Sequence, residues 1–245
     1  MHKAILFGAT SAMAQETGRL LAARGAELFL VGRDERKLQA VMSDLEVRGA
    51  TRVDALVADL DDVARFPSIL DEAANALGRI DLVVVAQGVL GSQPEAEAGG
   101  EVAAKLLHTN FVAPALLLQE AGNRLAAQKG GTLVAISSVA GDRGRQSNYF
   151  YGAAKGGLST FLAGLRNRLF REGVHVLTVK PGFVDSPMTA HLPKNALFAP
   201  PSAVAQAIVR GVEKRRDVVY VPGFWRAIML VIRAIPERVF KRLRL

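Results

Sequence analysis

Cysteine is absent from the 245 residues. That excludes a disulfide-stapled secreted scaffold and any Cys-ligated zinc or iron–sulfur centre. Long apolar runs are absent too. No uncharged stretch approaches the roughly 18 residues that a membrane-spanning helix needs. The first apolar stretch, Ala4–Phe7, is too short for a secretory signal, so the expected compartment is the cytoplasm. His2, His108, His175 and His191 show no metal-ligand spacing, and no metal is expected. Internal repeats, low-complexity tracts and domain linkers are likewise missing.

What is present is apolar: 50% of residues are hydrophobic and 22% charged. This excludes a disordered chain. The formal net charge is +8, but it is local. From Arg210 to the end, ten basic residues meet three acids (Glu213, Asp217 and Glu237), so seven of the eight net charges lie there. A near-neutral globule with a basic end is not the pattern of a nucleic-acid binder, whose charge spreads over a groove.

Short apolar runs alternate with helical patterns. Strands are expected at Lys3–Phe7, Glu27–Val31, Val53–Val57, Ile80–Ala86, Thr132–Ile136, Val174–Val179 and Val218–Val221. Helices are expected at 12–24, 34–48, 61–77, 101–128 and 149–171. Such alternation predicts an α/β fold: a Rossmann-like, doubly wound, parallel seven-stranded sheet flanked by helices. Residues 1–222 form this single domain in this reading, and 223–245 a basic C-terminal helical extension. Residues 182–201 lack periodicity and read as a lid or mobile loop. His191 falls there, as an exposed loop residue or a substrate contact.

Strand one runs into Gly8-Ala9-Thr10-Ser11-Ala12-Met13-Ala14. Small residues there let the backbone approach a pyrophosphate, whose charge the helix N-terminus holds. The same residues also suit a plain tight turn. Strand two ends at Arg33, where a 2′-phosphate would be met, whereas an acid would bond a ribose hydroxyl. Asp34 reads as a helix N-cap, with the ribose as its alternative partner. The balance favours NADP(H) over NAD(H).

After the fifth strand come Ser137-Ser138, then Tyr151 and Lys155. Tyr and Lys at i and i+4 share one helix face. An ammonium beside a phenol lowers the phenol pKa, and a phenol can exchange a proton with a carbonyl or alcohol oxygen. A serine hydroxyl can polarise the same oxygen.

With this set, the chain resembles the short-chain dehydrogenase/reductase family over nearly its whole length. The resemblance implies a nicotinamide-dependent reaction between a carbonyl and an alcohol. It implies Ser138 as the substrate-orienting serine, Tyr151 as general acid/base, and Lys155 as its partner on the nicotinamide ribose. It implies Asn110 as the support of a proton-relay water. Asp59 and Leu60 would meet the adenine, Gln87 and Gly88 would line the cofactor, and Pro181, Gly182 and Val184 would approach the carboxamide. Ala12, Ala14 and Gln87 depart from the family pattern.

The stretch 141–148, Met188-Thr189-Ala190-His191-Leu192 and Arg233-Ala234-Ile235-Pro236-Glu237-Arg238 are similar to a narrower group, the decaprenylphosphoryl-2-keto-pentose reductases. This implies a sugar ketone on a polyprenyl-phosphate carrier. The alternatives are a reductase of a soluble carbonyl metabolite and a non-catalytic nucleotide-binding or sensing protein. Phe224–Arg233, apolar with Trp225 and flanking arginines, fits either a peripheral contact with the membrane's inner face or an oligomer interface. The family implies a homo-oligomer, a dimer or tetramer, built through 101–128 and 149–171.

Overall fold

The computed structural model describes residues 2–190 and 192–243. The substrate contact expected of His191, and the charge of Arg244, lie outside the described residues. The chain runs β1 (Lys3–Phe7), α1 (Ala12–Ala22), β2 (Glu27–Gly32), α2 (Glu35–Val47), β3 (Arg52–Val57), α3 (Phe66–Leu77), β4 (Leu82–Val85), α4 (Gln93–Ala98) and α5 (Gly100–Leu107). A π-turn at His108–Val112 leads into α6 (Ala113–Ala127). Then come β5 (Gly131–Ile136), α7 (Tyr149–Leu169), β6 (Val174–Pro181), β7 (Phe183–Val184), β8 (Phe198–Ala199), α8 (Pro201–Glu213), β9 (Val218–Val221), α9 (Trp225–Ala234) and α10 (Glu237–Phe240).

Seven parallel strands form one sheet in the order β3-β2-β1-β4-β5-β6-β9. Ile5 stands between Phe29 and Val83 in register. Period-two alternation sends Ile5, Phe7, Val83, Val85 and Leu133 to the core under α3, α6 and α7. Ala4, Leu6, Leu28, Val84 and Val134 go to the opposite core under α1, α2 and α8. Both faces are covered, which is why the strands read as unbroken apolar runs.

The strand order reverses between β1 and β4, and the crevice beyond their carboxyl ends is where such sheets take ligands. The aperiodic stretch 182–201 is ordered locally: β7 pairs with β8, and a 3-10 turn spans Pro187–Thr189. A two-residue strand carries no readable period, so the sequence shows only a loop there. No helix among the described residues is long and apolar enough to cross a membrane.

The C-terminal segment is fastened to the loop between β5 and α7. Arg143 donates to the carbonyls of Ile232 and Ile235, both at 2.6 Å, and pairs with Glu237 at 2.9 Å. Its guanidinium lies 3.6 Å from the centre of the Phe240 ring. These contacts satisfy carbonyls at the end of α9 that the helix cannot satisfy itself.

Candidate active site

A cleft of about 1060 Å³ opens at the carboxyl ends of the strands. It joins two groups of side chains that lie far apart in sequence. At one end is the start of α1. Gly8 sits at φ +71°, and a Cβ there would stand 2.9 Å from the Gln87 amide, so the turn requires glycine. Ser11 caps α1, its Oγ accepting from the Ala14 amide at 3.2 Å. No acid lies in the first turn, so the positive end of the helix faces the cleft uncompensated. Thr10, Ser11, Ala12 and Met13 line this end.

Arg33 and Lys37 stand beside it, after β2. Asp34 is committed elsewhere: it caps α2 by accepting from the Lys37 amide at 3.1 Å, and it pairs with Lys37 Nζ at 3.3 Å. Those bonds hold its carboxyl below the usual range. Arg33 is exposed and has no ion pair among the described residues. A side pocket lined by Gly8, Arg33, Asp59, Leu60, Gln87 and Gly88 adjoins the cleft. Asp59 is exposed and accepts from the Asp61 amide at 3.0 Å, which leaves carboxylate capacity free.

Ser138, Tyr151 and Lys155 converge on the other end of the same cleft. Three glycines bring them together. A Cβ at Gly141 would stand 2.5 Å from the Lys155 carbonyl carbon, one at Gly152 would stand 2.9 Å from the Ala140 oxygen, and one at Gly156 would stand 2.9 Å from the Gly141 oxygen. Backbone therefore packs directly on backbone between α7 and the turn after β5. Ser137 donates to the Lys155 carbonyl at 2.9 Å and bonds Ser159, so this neighbour of Ser138 fixes the helix. Ser138 Oγ accepts from the Ala140 amide at 3.1 Å, leaving its hydroxyl hydrogen to donate into the cleft.

Burial pushes the Tyr151 phenol up to about 12, with the Ser138 hydroxyl pulling the other way. This is opposite to the shift expected from an adjacent ammonium. Lys155 Nζ lies 5.9 Å from the Tyr151 ring centre and donates instead to the Ile136 carbonyl at 3.1 Å. Burial pushes Lys155 down to about 8. Desolvation outweighs mutual attraction for both groups.

Asn110 does not line the cleft. It is fully buried in the π-turn, donates to the Val89 and Leu106 carbonyls at 2.9 Å, and accepts from the Val89 amide at 3.1 Å. A Cβ at Gly88 would stand 2.8 Å from its Oδ1 and 3.3 Å from Lys155 Nζ. Asn110 therefore positions the loop after β4 beneath Lys155. Gln87 enters the cleft with its Oε1 buried and unpartnered.

Pro181, Gly182 and Val184 line the wall after β6. Trp225 lies across Gly182 so closely that a Cβ there would fall 1.9 Å from Nε1. Trp225 is 4% exposed and packs with Val139 and Met229. The Trp225 ring is spent on the cleft wall, so in neither reading of this segment, membrane contact or oligomer interface, does it supply the contact. Sequence reading also missed Gly141, Gly152, Gly156, Lys37 and Arg145 as members of the site. The glycine spacing 141, 152 and 156 was the available signal.

A family model described as short chain dehydrogenase matches residues 2–196. The chain belongs to the short-chain dehydrogenase family. An uncharacterized oxidoreductase of Mycobacterium tuberculosis is 35% identical over 98% of this chain and 96% of its own length. A protein of Streptomyces violaceoruber named as a granaticin polyketide synthase ketoacyl reductase is 33% identical over 76% of this chain and 68% of its own. The crystal structure of levodione reductase superimposes with a TM-score of 0.83 at 24% identity, covering 93% of this chain and 98% of that one, which shows the shared fold. The family is one of oxidoreductases that use a nicotinamide dinucleotide. The open N-terminus of α1, the free Arg33 and the orphaned Gln87 Oε1 fit such a group.

Proposed function

We propose that the protein is an NADPH-dependent ketoreductase that converts a ketone to a secondary alcohol. The observation that carries this reading is the single cleft joining the α1 N-terminus to Ser138, Tyr151 and Lys155. When bound, the nicotinamide dinucleotide supplies a hydride. Thr10–Met13 and the α1 amides would hold its pyrophosphate, Asp59 and Leu60 the adenine side, and Gln87, Gly88 and Val184 the rest. Ser138 donates a hydrogen bond to the carbonyl oxygen. Tyr151, a phenol that is protonated at neutral pH and that burial pushes further up, gives that oxygen its proton. Lys155 would hold positive charge on the same side of the cleft and would hold a ribose hydroxyl of the cofactor.

The commitment of Asp34 to the α2 cap supports NADPH, since it leaves Arg33 and Lys37 to meet a 2′-phosphate. Tyr151→Phe should lower carbonyl-dependent NADPH oxidation by about 10²–10⁴-fold. Full turnover in that variant would refute the acid role. Arg33→Ala should erase the preference for NADPH over NADH, and an unchanged ratio would refute the phosphate assignment.

A second reading concerns the carrier of the ketone. The outer face of α9 and the segment after it exposes Phe224, Leu230, Val231 and Val239 beside exposed Arg226, Arg233, Arg238, Lys241 and Arg242. Apolar groups ringed by cations suit an anionic membrane surface, at about 1 kcal/mol per basic residue. With Trp225 on the other side of the same helix lining the cleft, this supports a lipid-linked substrate such as a polyprenyl-phosphate keto sugar. Leu230→Glu should abolish co-sedimentation with vesicles containing phosphatidylglycerol. Oligomer dissociation without vesicle binding in the parent protein would instead favour a soluble substrate and an interface at α9.

A further inference from the structure

Several arginines among the described residues are partly withdrawn from water, and Arg19, Arg124, Arg143 and Arg166 among them are held by ion pairs. Arg143 has four carbonyl or carboxylate contacts at the end of α9. Arg166 donates to the Val176 and Asp217 carbonyls and to Thr178, and faces the Asp217 carboxylate. Arg145 differs. Among the described residues it has no hydrogen bond and no ion pair, and its Nε is buried without a partner. Burial pushes its guanidinium below the ordinary value, and no neighbouring charge offsets that. An unpaired, desolvated cation is costly, and its usual resolution is an anion that arrives.

Arg145 lines the cleft. Close to it in sequence, Asn148 also lines the cleft, with its Oδ1 buried and unpartnered. Among the described residues the cleft wall carries four cations, Arg33, Lys37, Arg145 and Lys155, and no Asp or Glu. The cations divide between its two ends. Arg33 and Lys37 follow β2, whereas Arg145 follows β5, three strands away across the sheet. At ordinary strand spacing that is about 14 Å. Arg145 belongs to the segment between β5 and α7 that also carries Ser138.

We propose that Arg145 is a specificity-determining residue that pairs with an anionic group, carboxylate or phosphate, on the carbonyl substrate. The guanidinium fork matches either anion through two parallel hydrogen bonds. Asn148 Oδ1 lies in the same wall to accept from a neighbouring hydroxyl. The inference rests on carbonyl reduction at Tyr151, six residues further on.

The test uses matched probes that differ only in the anion: levulinate against its methyl ester, and dihydroxyacetone phosphate against dihydroxyacetone. Binding is measured by calorimetry with oxidised cofactor present, so that no turnover is needed. Turnover is measured separately with NADPH. The parent protein should favour the anionic member of at least one pair by roughly 10²-fold in affinity, the size of a charged hydrogen-bond pair. Which pair shows the ratio distinguishes carboxylate from phosphate. Arg145→Met should bring that ratio close to one, and Arg145→Lys should keep part of it. Cofactor affinity should be unchanged in both, which also shows that the variants fold.

A parent ratio near one for both pairs overturns the proposal, as does a ratio that survives Arg145→Met. Weakened cofactor binding in Arg145→Met with the ratio intact would assign the arginine to the cofactor instead. If the anion preference holds in binding but Tyr151→Phe does not slow turnover, the reading of Tyr151 fails while that of Arg145 stands.

Discussion

Lys155 shows most plainly how burial sets the chemistry of a single residue here. It is 3% exposed, and its charged form is disfavoured, so it releases its proton near pH 8 rather than 10.5. In the reductive direction Tyr151 stays protonated to about 12, so Lys155 sets the alkaline limb. The kcat/KM for cofactor, which reports the free enzyme, should be flat near neutrality and fall above about pH 8. A limb that stays level to pH 10 would contradict this. The same shift acts on stability. Between pH 8 and 10.5 the unfolded chain binds more protons than the folded one, so stability rises with pH across that window. Lys155→Met should therefore be inactive, yet melt higher than the parent at pH 7. The gain should shrink as pH approaches 10.5, and identical melting profiles across the range would count against the shift.

Ser138, Tyr151 and Lys155 were legible at this scale because their spacing is chemical. Arg145 was not, because only the fold shows that nothing among the described residues pairs with it. The direction of the Tyr151 shift was also illegible, since spacing places the ammonium but not the water.

At the scale of elements, the strands were readable to within a few residues because both faces of the sheet are apolar. Helices α4 and α8 were not separated from their surroundings, and the helical stretch 101–128 proved to be α5, a π-turn and α6. A π-turn inserts one residue without changing composition, so periodicity passes over it. The docking of α9 is a matter of contacts rather than pattern. Gly182→Ala should drive a Cβ into Trp225 and cost about 1–3 kcal/mol, the usual penalty of overpacking. A red shift in the emission of this sole tryptophan would report it. Arg143→Met should free the end of α9, making the segment beyond Pro222 sensitive to protease while the main melting transition moves little. Equal protection of the segment in both proteins would refute the fastening role.

For the whole molecule, exposed charge and apolar surface are the features that a partner or a membrane would meet. Val102, Val112 and Leu116 are exposed along α5, the π-turn and α6, within the 101–128 stretch through which the family resemblance implies oligomers form. Leu116→Glu should shift the mass measured by light scattering toward the monomer. An unchanged mass would place any interface elsewhere, with α9 as the next surface to charge. Vesicle binding through α9 should weaken steeply with salt, since its cations are exposed and screened.

The sequence by itself foretold the sheet and brought out Ser138, Tyr151 and Lys155 as candidates, because periodicity and reactive spacing are local properties of a chain; the family came from the resemblance those motifs carry. It also located the net charge at one end. Only the tertiary structure decided that Trp225 walls the cleft rather than facing lipid, and that Arg145 stands desolvated with no partner among the described residues. Those facts depend on which groups meet from segments far apart in the chain and on how much water the meeting excludes. Neither is written in any one segment.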